Sequence, residues 1–87
     1  MAGLDKIIKK MLNQPNDIEY AELRYVLLAI GCNERRGKGS HTFFSHPETG
    51  VQVSIPFQKP LRRCYIIRTI QMFDLKEVYD EITGRIS

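Results

Sequence analysis

The chain has 87 residues, of which 43% are hydrophobic and 26% charged, and a formal net charge of +3. That length supports a single domain, expected over residues 1–87, and excludes a deep enclosed catalytic chamber, so any chemistry has to sit on an open face or at a contact between chains. The composition excludes a disordered polar chain. Lys9 and Lys10 interrupt the apolar N-terminal run, so neither a signal peptide nor a membrane span is expected and the chain is placed in the cytoplasm.

Leu4, Ile7, Ile8, Met11 and Leu12 keep the i, i+3, i+4 rhythm of a short amphipathic helix, with Lys6, Lys9 and Lys10 toward water. Asn13-Gln14-Pro15-Asn16 stops it. A second helix begins between Asp17 and Ala21, with Asp17 as a capping candidate. It presents Leu23, Val26, Leu27 and Ile30 inward and stops at Gly31. Three strands follow: a weak one over Cys32–Arg36, a stronger one over His41–Ser45, and the clearest over Val51–Ile55, where apolar residues alternate with Gln52 and Ser54. His46–Gly50 reads as a hairpin turn, and Pro56 and Pro60 close the strand region. A third helix is expected from about Arg63 to Phe73, with Ile66, Ile67, Ile70 and Phe73 inside. Asp74 and Glu77 have the spacing of a capping box for a fourth helix, which presents Leu75, Val78, Tyr79 and Ile82. Thr83–Ser87 is expected to fray. The fold class is therefore α+β, a three-stranded antiparallel sheet with helices on one face in the order α-α-β-β-β-α-α.

The charge is unevenly placed. From Arg35 to Arg68 the cations Arg35, Arg36, Lys38, Lys59, Arg62, Arg63 and Arg68 face the single acid Glu48, whereas the remainder of the chain has more acids than cations. A basic central segment points to a polyanion, with a solvated basic loop as the plain alternative. Arg62 and Arg63 sit at a helix N-terminus, where a cation opposes the dipole; a ligand or simple solvation both account for them. Cys32 and Cys64 have no metal-ligand spacing and read as buried or half-buried thiols in a reducing compartment. The tyrosines Tyr20, Tyr25, Tyr65 and Tyr79 read as core rim or partner surface.

The period of two assigns sides in the strand that starts at His41. Thr42 and Phe44 share one face; His41, Phe43 and Ser45 share the other. If Phe44 packs with Val51, Val53 and Ile55 onto the helices, His41 and Phe43 face outward among cations. There an aromatic ring can stack a base, cations can hold phosphates, and an imidazole can move a proton. The competing register buries Phe43 and makes His41 a core histidine. His46, just before Pro47, reads as structural, its ring capping the turn.

Gly39-Ser40-His41, followed by Phe44 and His46-Pro47, resembles the HicA family of bacterial toxins, the messenger-RNA-cleaving components of toxin–antitoxin pairs. The parallel continues through Ala29-Ile30-Gly31, Arg35–His41, Val51–Pro56 and Arg63–Arg68, so that it covers about Asp17 to Phe73. The resemblance implies a double-stranded-RNA-binding-like fold with an added helix at each end. It implies an endoribonuclease, an mRNA interferase, that needs no metal or other cofactor, and a HicB-like antitoxin that covers the site. It leaves open a homodimer and a toxin–antitoxin hetero-oligomer. The family's catalytic histidine maps onto His41 and its supporting glycine onto Gly39. Thr42 stands where many members have a second histidine, and Ile66 where many have threonine.

RNA brings its own nucleophile, the 2′-hydroxyl, so a ribonuclease has only to move protons and steady the phosphorane; general acid–base catalysis supplies about 10²–10⁴-fold. The residues that fit are His41 for the proton, and Lys38, Ser40, Arg36 and the N–H groups near Gly39 for the charge. One histidine cannot act on both sides of the phosphate at once, so a second group has to share the role. Phe43 is the stacking candidate, with plain core as the rival. Arg35, Arg36, Arg62, Arg63 and Arg68 are candidate phosphate contacts, Arg68 with a helix-layer salt bridge as its rival. A non-catalytic RNA-binding or other nucleic-acid-binding module of the same fold is the alternative function, and a protein-interaction domain is a third class.

Overall fold

The structure is a computed structural model that describes residues 3–58 and 61–84. Four helices and three strands follow the expected order: α1 Leu4–Asn13, α2 Tyr20–Ala29, β1 Asn33–Arg36, β2 His41–Ser45, β3 Gln52–Pro56, α3 Arg63–Phe73 and α4 Leu75–Thr83, with a 3₁₀ turn over Pro15–Asp17. The sheet is antiparallel in the order β1-β2-β3. Because β2 is central, its alternation decides the layers. Thr42 and Phe44 are buried, as are Val53 and Ile55 opposite them, and they join Ile8, Met11, Leu23, Leu27, Ile66 and Leu75 in one core. The other face of β2 carries His41, Phe43 and Ser45, which the helices do not cover.

Several local details differ from the reading of the sequence. Asp17 does not cap α2: it lies in the 3₁₀ turn, and Glu19 is the cap, in a capping box with Glu22. The proline at the head of that turn starts a separate element and moves the helix start to Tyr20. Asp74 does not cap α4 through its side chain. It is at once the residue that follows α3 and the residue before α4, and it takes a left-handed conformation (φ 50°) instead of the extended one an N-cap needs. Its carboxyl group instead shares a hydrogen bond with Glu77, which raises the Glu77 pKa, and the charges of Asp74, Glu81 and Asp80 push the same way.

On α3 the inward place expected for Ile67 belongs to Thr69, which is fully buried and donates to the Tyr65 carbonyl at 2.8 Å. A hydroxyl that bonds back along its own helix is self-satisfied, so the core accepts it. Ile67 is half-buried and borders a surface groove. Ile82 is exposed, not buried. Cys64 is exposed too, contrary to expectation, whereas Cys32 is buried and its thiol is pushed up to about 11 by desolvation. Pro60, Lys59 and residues 85–87 lie outside the described residues. None of the described helices is long and apolar enough to cross a membrane.

Candidate functional site

The β1–β2 hairpin is built to hold its tip open. Gly37 N–H donates to the His41 carbonyl at 2.9 Å, and His41 N–H donates to the Lys38 carbonyl at 3.4 Å, which closes a short loop of Gly37-Lys38-Gly39-Ser40. Gly39 takes a left-handed φ of +65°, where a side chain would be strained. The N–H groups of Lys38, Gly39 and Ser40 have no backbone partner among the described residues. Gly37 is required for a different reason: a Cβ there would run into the Phe43 ring, which lies across it.

The register explains where each cation goes. Arg35 stands opposite Phe43, and Arg36 opposite Thr42. Cross-strand partners share a face. Arg35 therefore lies on the open side with Phe43, while Glu34 and Arg36 belong to the side of α2. Glu34 uses that position to accept two hydrogen bonds from Arg24, at 2.7 and 2.9 Å. That pairing holds the Glu34 carboxyl below the ordinary glutamate range and raises the Arg24 guanidinium.

His41 is exposed, as the outward register requires. It stands on a crest between two grooves. One, of about 710 Å³, is lined by Arg35, Arg36, Gly37, Lys38, Phe43 and Ser54 together with His41. The other, of about 680 Å³, includes Tyr20, Arg24, Arg36, Gly39, Ser40, Thr42 and Phe57 beside the same imidazole. On the first side the Ser54 hydroxyl lies 3.3 Å from His41 Nδ1. With Nδ1 engaged on the neighbouring strand, Nε2 is the nitrogen left for a ligand. On the second side the Tyr20 hydroxyl donates to Thr42 Oγ1 at 2.8 Å, which satisfies the one buried polar side chain of β2.

The cations and the aromatic read from the sequence are thus partly gathered. Arg35, Arg36, Lys38, Gly39, Ser40 and Phe43 all surround His41. Arg63 and Arg68 do not line either groove. They border a shallow groove of their own on α3 with Cys64, Ile67 and Gln71. Arg62 is exposed at the N-terminus of the same helix. Arg68 makes no ion pair among the described residues, so the helix-layer salt bridge is not its role. The sequence assigns no role to Ser54, Arg24 or Phe57, and Tyr20 reads there only as core rim or partner surface. Alternation had put Ser54 on the correct face, but only the register brings it beside His41.

The second histidine is engaged elsewhere. His46 Nε2 meets the Ile30 carbonyl at 3.0 Å, and its Nδ1 accepts from Glu48 N–H at 3.2 Å. The Nε2–H tautomer satisfies both bonds, tying the end of α2 to the β2–β3 turn. Gly31, at φ +104°, passes directly beneath this ring. Among the described residues no group of three or more His, Cys, Asp or Glu side chains converges as a metal site would need.

No curated protein and no solved structure matches the chain. One family does: the description "HicA toxin of bacterial toxin–antitoxin" matches residues 20–75, more than half of the chain. That span runs from the first residue of α2 to the first of α4, and so contains the whole sheet, His41 and, apart from Glu19, the lining of both grooves. The chain therefore belongs to the HicA toxin family.

Proposed function

We propose that this chain is the toxin of a type II toxin–antitoxin pair, an endoribonuclease that cleaves messenger RNA without a metal, with His41 as its general acid or base. The observation that carries the reading is the exposed imidazole on the uncovered face of β2, flanked by Arg35, Arg36 and Lys38 and by the half-buried ring of Phe43. Histidine is the side chain suited to both taking and giving a proton near neutral pH. His41 Nε2 removes the 2′-hydroxyl proton as that oxygen attacks the adjacent phosphorus, giving a cyclic phosphate and expelling the 5′-oxygen. Lys38, Arg36 and the free N–H groups of the Gly39–Ser40 turn steady the charge on the phosphorane. The leaving oxygen takes its proton from Lys38, a second protomer or water. Ser54 orients the ring.

Arg62, Arg63 and Arg68 are assigned to phosphates farther along the strand. The proposal places the protein in the cytoplasm as one domain over residues 1–87, with residues 17–73 as its working core, and with a HicB-like antitoxin lying over the His41 crest. The test is cleavage of a synthetic messenger RNA by the purified protein, with and without EDTA. The parent should cut in both conditions, and His41→Ala should leave binding measurable and cleavage absent. If the variant cuts as fast as the parent, the assignment of His41 is wrong. If neither cuts but both bind RNA with an affinity that falls steeply with salt, the chain is a non-catalytic binding module.

A further inference from the structure

The groove on the α2 side of His41 contains a feature that the proposed chemistry does not use. Phe57 is a large apolar side chain that remains 55% exposed. Leaving such a ring in water forgoes the stabilisation that burying it would bring, yet this ring is firmly held. Its backbone N–H donates to the Ser40 carbonyl at 2.7 Å, which fastens it to the hairpin tip. One face stacks on Tyr20, with ring centroids 4.9 Å apart and planes 17° from parallel. Tyr20 is in turn anchored through its hydroxyl to Thr42, the residue next to His41. The result is an exposed aromatic surface fixed in orientation beside the imidazole.

The charges around it suit a nucleotide. Arg24 and Arg36 line the same groove; Arg24 is committed to Glu34, whereas Arg36 makes no ion pair among the described residues and is the cation left for a phosphate. Glu19 also borders the groove, but its carboxylate is occupied by the capping box of α2. Both grooves therefore have the same composition, an aromatic ring with arginine, and they share His41 and Arg36 at the crest between them.

Resting on the ribonuclease reading above, we infer that the Phe57–Tyr20 pair is a nucleobase platform, which holds the base on the opposite side of the cleaved phosphate from Phe43. A strand crossing the crest would then place one base against each ring, with the phosphate under His41 and Arg36 between them. Two bases separated by a crest cannot remain stacked on each other, nor paired within a duplex. The substrate is accordingly an unpaired step of single-stranded RNA, in keeping with the sequence tolerance of base–aromatic stacking.

The experiment measures binding apart from cleavage. Fully 2′-O-methylated single-stranded 10-mers, which lack the nucleophile, are titrated onto the parent, Phe57→Leu and Phe57→Tyr, with fluorescence anisotropy as the readout. Leucine preserves apolar packing on Tyr20 but removes the aromatic face. The expected result is a Kd about tenfold weaker for Phe57→Leu, with Phe57→Tyr within about twofold of the parent. The salt slope should be unchanged, because no phosphate contact is lost. On the parent protein, a 4-thiouridine strand irradiated in the complex should crosslink to Phe57 or Tyr20. Equal affinity for parent and Phe57→Leu, or crosslinks that map only elsewhere, would overturn the platform while leaving the ribonuclease reading intact. If the parent itself binds none of these strands, both proposals fall.

Discussion

Ser54 Oγ and His41 Nδ1 lie 3.3 Å apart on adjacent strands, two residues out of register, since His41 pairs with Pro56 and Ser54 with Phe43. A diagonal contact of this kind fixes which ring nitrogen is free. If Ser54 orients the imidazole, Ser54→Ala should reduce kcat by about threefold to tenfold, well short of the about 10²–10⁴-fold expected for the proton-transfer group itself. KM should hardly change, and Ser54→Thr should restore part of the rate. An unaltered kcat and pH–rate profile for Ser54→Ala would remove the orienting role.

Gly37 and Gly39 should respond differently to alanine. A methyl on Gly37 collides with the Phe43 ring and must displace it, whereas Gly39 has open space around it and only its left-handed backbone suffers. Gly37→Ala should therefore weaken binding of an uncleavable RNA strand by about fivefold or more, through lost stacking. Gly39→Ala should cost about 1–2 kcal/mol of local hairpin stability. Isothermal titration and thermal melts on both variants separate the two effects.

His46 should prove structural. Its ring bridges the Ile30 carbonyl and Glu48 N–H, so His46→Ala should lower stability by about 1–2 kcal/mol. Cleavage measured well below the melting point should stay near the parent rate. Loss of cleavage in a variant that remains folded by circular dichroism would contradict this assignment.

The Arg24–Glu34 pair gives a pH dependence of known sign. The Glu34 carboxyl is held low in the folded state, chiefly by the Arg24 hydrogen bond. Its contribution is fully present above the unfolded glutamate value of about 4.3, and disappears as pH falls through the lower folded value. Glu34→Gln should thus melt slightly below the parent at pH 7 and together with it in strong acid. The pair is partly exposed and screened by salt, so the difference should shrink at 1 M NaCl.

The two cysteines should separate cleanly under alkylation. Cys64 is exposed, while Cys32 is buried with its thiol pushed up to about 11. Iodoacetamide at pH 7.5 should label Cys64 alone in the folded protein, and Cys32 only in denaturant, as read by mass spectrometry.

The element order and the sidedness of β2 were legible because both rest on short-range periodicity. Val53 and Ile55 need a partner of matching hydrophobicity, and of the adjacent Phe43 and Phe44 only one can supply it; the choice of Phe44 sends His41 outward. What alternation could not reveal was the register. Ser54 meets His41 only because β3 is offset as it is, and Phe57 reaches Tyr20 across a separation in sequence that no local pattern spans. Asp74 was misread for a related reason. The acid-x-x-Glu pattern describes a helix start, but here the same residue must also end α3, and that geometry prevailed. Thr69 displaced Ile67 from the interior because a hydroxyl that bonds its own helix behaves, when buried, almost as an apolar group.

β1 has a consequence for how the molecule would fail. All four of its side chains are exposed, so the outer ribbon adds nothing to the oily interior and is held by its ladder to β2 and by the Arg24–Glu34 clamp. The tip that carries Lys38, Gly39 and Ser40 hangs from this weakest ribbon. Fraying there would scatter the cations from around the imidazole while the helices stayed assembled, so potency should fade with warming some degrees before ellipticity does, and the amides of Asn33–Arg36 should be among the earliest to exchange with deuterium.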